Sequence, residues 1–429
     1  MLNRRDLMMT GVAAGATFFV PGLRAQQSGP SATVATRKIV VPVDHENLRA
    51  GSFRLDALVV DGKIDPRRPT VFIVGDGQQF YIRASEMPRF RALLGPNVNI
   101  VGIAGRGFSA KLLERLGSPQ SPGANWELGY QLLKDAQWTA DIDAVRASLL
   151  GPKAKISIFG VSGGGFLLHA FMTRYGRHVS SAYSEVAALP PIEGALRLQH
   201  DHFWSDLPDE QRKALWAALQ ARPDQRTYYA QLLQRQNYFV PLEGLAKARA
   251  DLIDAIARDS EAALSKAAAD YQVDALRQMM GNGAAWPIRV REYEFIWPVL
   301  ANGIAWKSSQ FRPDVEVSEM WAEPLLRLNA EGRIPAPTFN SGPLNDLTAE
   351  VLIVCGRYDH ISDYREQIAI AGHYRNSRLL ILDDDHILHN WKAMPNARIE
   401  LLRGWVAGLR SQAFETALAK TAPLIWHEA

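Results

Sequence analysis

Ser162 is the residue of this chain best placed for covalent chemistry. It lies in the run Ile156-Ser157-Ile158-Phe159-Gly160-Val161-Ser162-Gly163-Gly164-Gly165-Phe166-Leu167-Leu168. The run reads as an apolar strand, then Gly-x-Ser-x-Gly, then the start of a helix. A strand that turns sharply into a helix at a serine lifts the hydroxyl above the sheet edge. Gly160 and Gly164 leave space for the turn, where a Cβ would collide with neighbouring backbone. The Gly163 amide opens the helix, where N–H groups lack helical partners and the dipole favours negative charge. One segment therefore offers a nucleophile and half of an oxyanion hole. Glycine-rich turns also cradle phosphates, but neither a Gly-Lys-Ser/Thr ending nor Gly-x-Gly-x-x-Gly spacing is present.

A serine hydroxyl attacks only when a base takes its proton, and that base is usually a histidine oriented by a carboxylate. Two later segments supply both at strand ends, where a parallel sheet gathers its ligands. Val351 to Cys355 is a strand, and Asp359 follows it in a loop. Leu379 to Leu382 is the next strand, and His386 follows the run Asp383-Asp384-Asp385. The order nucleophile, acid, histidine is more specific than either segment alone. His389 competes with His386 as base. Glu185 and Asp363 compete with Asp359, although Asp363 sits where a residue would cap the next helix. Asp383 to Asp385 read as a solvated loop. His200-Asp201-His202 reads as surface rather than a metal pair, because alternate residues diverge in a helical region.

These segments need a scaffold that alternates strands and helices. Lys38 to Val43, Phe53 to Val60, Thr70 to Val74, Val98 to Ile103, Ile156 onwards and Ser181 to Val186 read as strands. Asp135 to Leu150 has helical apolar spacing. Apolar strands alternating with helices imply parallel βαβ units. From about Pro190 to Pro343 the pattern changes. Leu207 to Leu219, Thr227 to Gln236 and Leu242 to Tyr271 read as helices, and Trp204, Trp216, Trp286, Trp297, Trp306 and Trp321 crowd the region. The βαβ pattern then resumes with strands at Glu350 and Arg378, a helix from Asp363 to Tyr374 and one from about Pro395 to Leu409.

On these motifs the chain resembles the α/β-hydrolase superfamily, over most of residues 36–190 and 345–410. Within it the chain is similar to the serine aminopeptidase branch, which holds prolyl and tripeptidyl aminopeptidases. That likeness rests on Val41-Pro42-Val43-Asp44-His45, the Gly-Val-Ser-Gly-Gly elbow and a long helical insertion before the acid. The resemblance implies an α/β fold, with a mostly parallel central sheet, helices on both faces and a helical cap. The expected division is core at 36–190, cap at 191–343 and core again at 344–429. It also implies Ser162 as nucleophile, Asp359 as acid and His386 as base. In the family a His-Gly after the third strand commonly completes the oxyanion hole. Here the run is Val74-Gly75-Asp76-Gly77-Gln78, so the second donor is expected at Gly77 beside that of Gly163. Cap acids in the branch bind the free amino group of the substrate, which makes Glu292 and Glu294 the candidates here. An aspartate-nucleophile hydrolase is disfavoured, because the elbow carries serine.

Composition sets the remaining bounds. The chain has 429 residues, 47% hydrophobic and 22% charged, which suits one large domain with an insertion, or two domains. Its net charge of +3 includes +2 from residues 1–25, and no basic stripe suggests nucleic acid. Cys355 is the only cysteine, which excludes an internal disulfide and a multi-cysteine metal site. Asn3-Arg4-Arg5-Asp6-Leu7-Met8, the small apolar stretch to Val20 and Leu23-Arg24-Ala25 resemble a cleavable twin-arginine export signal over residues 1–25. The expectation is an exported, periplasmic or secreted serine hydrolase acting on short peptides or amides. A carboxylester hydrolase with the same residues is the alternative, and a silent binding protein on this scaffold is the remote one. No cofactor and no metal is expected. The expected partner is a small-molecule or short-peptide substrate, with no nucleic acid and no membrane association once the signal is removed.

Overall fold

The computed structural model describes residues 32–76, 82–198, 201–281, 285–301 and 310–426. The expected signal segment and Gly77 lie outside them.

Eight strands form one sheet: β1 (Val34–Pro42), β2 (Ser52–Val60), β3 (Thr70–Val74), β4 (Asn99–Ala104), β5 (Ile156–Val161), β6 (Val179–Glu185), β7 (Glu350–Gly356) and β8 (Ser377–Leu382). Their order is β1-β2-β4-β3-β5-β6-β7-β8. β2 runs antiparallel to both neighbours, and every pairing from β4 through β8 is parallel. This order and polarity define the α/β-hydrolase fold. All eight strands overlap runs read from the sequence, although β1 begins at Val34, four residues before the expected Lys38.

The strand patterns explain their places. β3 is buried at every residue, as a strand covered on both faces must be. Its successive side chains feed opposite cores: Phe72 and Val74 belong to the one that holds Phe166 and Phe171, while Val71 and Ile73 belong to the one that holds Phe159, Tyr183 and Trp405. The outer part of β2 alternates exposed and buried residues.

The helical insertion falls between β6 and β7, from Pro190–Leu196 to Pro313–Ala330. It has a core of its own around Leu215, Leu232, Ile256 and Val317. The helix Ala285–Ala301 joins cap to sheet domain. Trp286 lies 3.9 Å from Trp126, Tyr293 5.3 Å from Tyr130 and Phe295 5.1 Å from Phe166, ring centre to ring centre. The long helix expected over Leu242 to Tyr271 is two helices, Leu242–Ala257 and Glu261–Asp270. The break comes at Asp259, whose φ of 53° is left-handed, a state Asp tolerates better than most residues.

The Val41-to-His45 segment is anchored by Arg106, which is wholly buried. Its guanidinium donates to the Pro42, Val43 and Leu132 carbonyls and to both oxygens of Asp141, at 2.7–3.2 Å. His45 Nε2 also lies 2.7 Å from Asp141. A buried charge so fully partnered fixes geometry, because losing one partner leaves the other desolvated.

Candidate active site

Ser162 occupies the turn between β5 and the helix Gly163–Tyr175, with φ 55° and ψ −125°. A non-glycine residue in this region carries strain of about 1–3 kcal/mol, held in place by its surroundings. Its N–H donates to the Glu185 carbonyl at 2.8 Å, and its carbonyl accepts from Gly165 at 2.7 Å. The glycines act as their spacing implied. A Cβ on Gly160 would lie 2.4 Å from the Gly164 carbonyl oxygen, and one on Gly164 would lie 2.6 Å from that of Val74.

Three side chains read from distant segments meet here. Ser162 Oγ is 2.9 Å from His386 Nε2, and His386 Nδ1 is 2.8 Å from Asp359 Oδ2. Asp359 accepts further bonds from the N–H groups of Ile361 and Ser362, at 2.8 and 2.9 Å, and from the Ser362 hydroxyl at 2.6 Å. A carboxylate so supplied with donors stays ionised and takes the Nδ1 proton as its partner. Nε2 is then left as the acceptor for the serine hydroxyl. Burial opposes the ionised form of Asp359, but the charge of His386 and these bonds outweigh it, and the pKa is lowered. Burial likewise opposes the charged form of His386. The Asp359 carboxylate overrides it, and the pKa of His386 is raised above the ordinary 6.5.

The two loops that carry acid and base touch at Gly356. A Cβ there would stand 2.5 Å from the carbonyl oxygens of both Asp384 and Asp385. The expectation of a solvated acidic loop holds for Asp383, which is exposed, and is corrected for Asp384 and Asp385, which are buried. Asp384 accepts from the Trp391, Asn390 and Asp385 amides at 2.8–3.2 Å. Asp385 accepts from Ile387 N–H at 2.9 Å and holds His389 Nδ1 at 2.6 Å. These acids spend their charge on the backbone that presents His386, and His389 is tied up beside it.

The other competitors are also engaged elsewhere. Glu185 pairs with Arg398 at 3.0 Å and accepts from the Tyr183 hydroxyl at 2.5 Å. Asp363 caps the helix Tyr364–Gly372, accepting from Arg365 N–H at 2.8 Å. Asp201, expected at the surface, is buried and accepts from the Asp314 N–H at 2.7 Å. Cys355 is buried, and burial pushes its thiol well up.

A cavity between cap and sheet opens over Ser162 and Gly163. Among the described residues, five charged side chains line it: Asp76, Arg235, Arg291, Glu292 and Asp314. Glu292 is buried, which raises its pKa, while Arg291 and the Ser318 hydroxyl act in the opposite direction. Glu294 is a correction. It is not among the residues lining this cavity, and its Oε1 accepts from the Asp135 N–H at 2.7 Å. Two residues apart on a helix means about 200° of rotation, so both acids cannot face one cavity. Of the two oxyanion donors expected, Gly163 opens its helix as read, and Gly77 lies outside the described residues.

The sequence reading missed three groups. Arg291 makes an ion pair with Asp76, 3.1 Å from its Oδ1, and reaches Glu292 at 3.0 Å. Asp314 begins the helix Pro313–Ala330 and accepts from Gln234 at 2.6 Å. The ring of His360 stands 6.1 Å from that of His386, and burial pushes its pKa down to about 4. Arg291 and His360 left a signal only as neighbours of Glu292 and Asp359.

No family model and no curated protein matches this chain. Among solved structures it is similar to a proline iminopeptidase of Mycobacterium smegmatis, with 14% identity, 90% of this chain and 100% of that chain covered, and a TM-score of 0.46. A thermophilic esterase from Thermogutta terrifontis aligns at 15% identity over 88% of this chain and 100% of its own, with a TM-score of 0.41. A bromoperoxidase from Bacillus anthracis aligns at 14% identity over 85% and 98%, also with a TM-score of 0.41. The strand order above, rather than these distant likenesses, gives this chain the α/β-hydrolase fold.

Proposed function

We infer that this protein is a serine hydrolase that forms an acyl-enzyme on Ser162, acting on short peptides or amides that carry a free amino group. The observation behind the inference is the hydrogen-bonded series Ser162–His386–Asp359, at 2.9 and 2.8 Å. In the mechanism, His386 Nε2 takes the hydroxyl proton as Ser162 Oγ attacks a carbonyl carbon. Asp359 holds the ring in that tautomer and stabilises the imidazolium. The Gly163 amide, at the positive end of its helix, donates to the developing oxyanion, with Gly77 as the second donor. His386 then returns the proton to the departing amine. Water, deprotonated by the same ring, hydrolyses the ester.

Among the described residues, three acids against two arginines line the cavity, a balance that leans towards an amine-bearing substrate. Glu292 and Asp314 both line the space over Ser162. An ammonium bound there would stabilise Glu292 in its ionised form, which burial otherwise disfavours. Apolar lining from Phe295, Ile296 and Trp321 suits a carboxylester as well, and this is the second reading. Both bonds break through the same acyl-enzyme. The site of action proposed is the periplasm or the cell exterior, after twin-arginine export.

A fluorophosphonate probe tests the chemistry. Ser162 is expected to label in the wild type and not in S162A, and an equal signal in both removes the reading. Aminoacyl anilides set against short-chain nitrophenyl esters then decide between amidase and esterase.

A further inference from the structure

The residue after Gly75 is an aspartate, on the loop that leads from β3 to the expected second oxyanion donor. Its carboxylate presses on the nucleophile's turn. A Cβ built on Gly163 would stand 2.0 Å from Asp76 Oδ1 and 2.5 Å from Asp76 Cγ. Asp76, Ser162 and Gly163 line the same cavity. The reaction puts negative charge on the substrate oxygen at the Gly163 amide, so an unbalanced carboxylate in contact with Gly163 would raise the energy of that state. Like charges within a few ångströms in a partly dehydrated site repel strongly.

Arg291 answers this charge from the cap. Its Nε is 3.1 Å from Asp76 Oδ1 and its Nη2 is 3.4 Å from Oδ2. Only the Nη2 contact has hydrogen-bond geometry; the Nε contact is an ion pair held by charge and proximity. Side-chain exposure is 16% for Arg291 and 13% for Asp76, so water screens the pair weakly. Arg291 is itself held, since Nη2 also lies 3.0 Å from Glu292 Oε1 and its guanidinium stacks 4.8 Å from the Phe295 ring centre. The oxygen that touches Gly163 is therefore the one that receives the closer arm of the arginine.

We propose that Arg291 is a positioning residue for acyl transfer: it neutralises and orients Asp76 beside Gly163, so that the oxyanion forms next to a paired carboxylate. The cap then contributes to the chemical step as well as to substrate choice. A Cβ at position 163 would force the Asp76 carboxylate to move away from the turn. The proposal rests on the Ser162 acyl-transfer reading above.

A double-mutant cycle in the full-length protein tests it, with an uncharged nitrophenyl ester as substrate and an uncharged fluorophosphonate as probe. Neither compound needs an ammonium site. R291M is expected to lower kcat and the labelling rate about 100-fold, the scale of one lost oxyanion donor, with KM changing much less. In a D76N background the same substitution is expected to cost no more than about threefold, because no charge remains to be balanced. Equal costs in the two backgrounds, or no cost in either, overturn the proposal. R291Q replaces R291M if the latter does not fold. If neutral variants at 291 fold only in the D76N background, the pairing serves folding rather than the reaction, and the proposal also falls. Failure of the underlying reading looks different: the wild type itself would not label at Ser162.

Discussion

Ser162 Oγ and His386 Nε2 lie 2.9 Å apart, although 224 positions separate them in the chain. The contact depends on two loops at neighbouring strand ends and on a strained turn, and each support can be tested separately.

Substitution at the turn separates chemistry from strain. S162A is expected to lower turnover on the order of 10⁶-fold, as loss of the serine does in subtilisin. S162G is equally inactive but relieves the φ of 55°, and it is expected to gain about 1 kcal/mol of stability. Turnover and urea midpoints measured on both variants check this. An S162G midpoint below that of S162A would mean that the turn carries no strain.

The pH dependence follows from the Asp359–His386 pair. The base must be neutral, so the rate is expected to rise with pH through a His386 pKa above 6.5. Stability runs the other way. A raised histidine pKa contributes stability that is complete below the unfolded value and lost as pH rises through the folded one. The lowered pKa of Asp359 contributes stability that is present above its unfolded value of 3.8 and lost as pH falls through the folded one. In D359N the rising limb of the rate profile should move to lower pH, because burial of His386 is no longer offset. Turnover should fall by about 10⁴, as for the equivalent change in a serine protease. An unmoved limb would assign the profile to another group.

Glu292 is the cap acid that faces the site. With E292Q, kcat/KM for substrates with a free amino group is expected to fall about 10- to 150-fold, the range for a lost charged hydrogen bond. Blocking the substrate's amino group should abolish wild-type turnover. If wild-type rates on blocked and free substrates are the same, the amine subsite does not exist, and the ester reading takes its place.

Beneath the turn, Glu185 and Arg398 form a buried pair at 3.0 Å, and the Glu185 carbonyl receives the Ser162 N–H. R398A strands the carboxylate in the core. It is expected to cost about 3–5 kcal/mol by denaturant unfolding. A loss below about 1 kcal/mol would mean that water reaches Glu185.

The strands, the elbow and the order of Ser162, Asp359 and His386 are legible in the sequence because each is a local pattern. Apolar runs of strand length, glycines spaced around a serine and polar residues just past strand ends need no distant partner to be recognised. Asp363 reads as a helix cap for the same reason. The division of the long cap helix left only a weak signal, Asp259 followed by the N-cap Ser260, with neither glycine nor proline at the break.

Partner choice is not legible. The sequence places Glu292 and Glu294 on one element but does not say which of them a cavity would use, since helical spacing only requires that they diverge. Nor does it say that Asp384 and Asp385 turn inward to hold the backbone around His386. The sign of the charge beside Gly163 shows this most sharply. Asp76 by itself argues against an oxyanion, and its counter-charge comes from Arg291, 215 positions away on a helix of the cap. Local chemistry set the turn, the strands and the three side chains of the proposed triad. The electrostatic balance around them was decided only by packing the cap against the sheet, because charges interact through space and not along the chain.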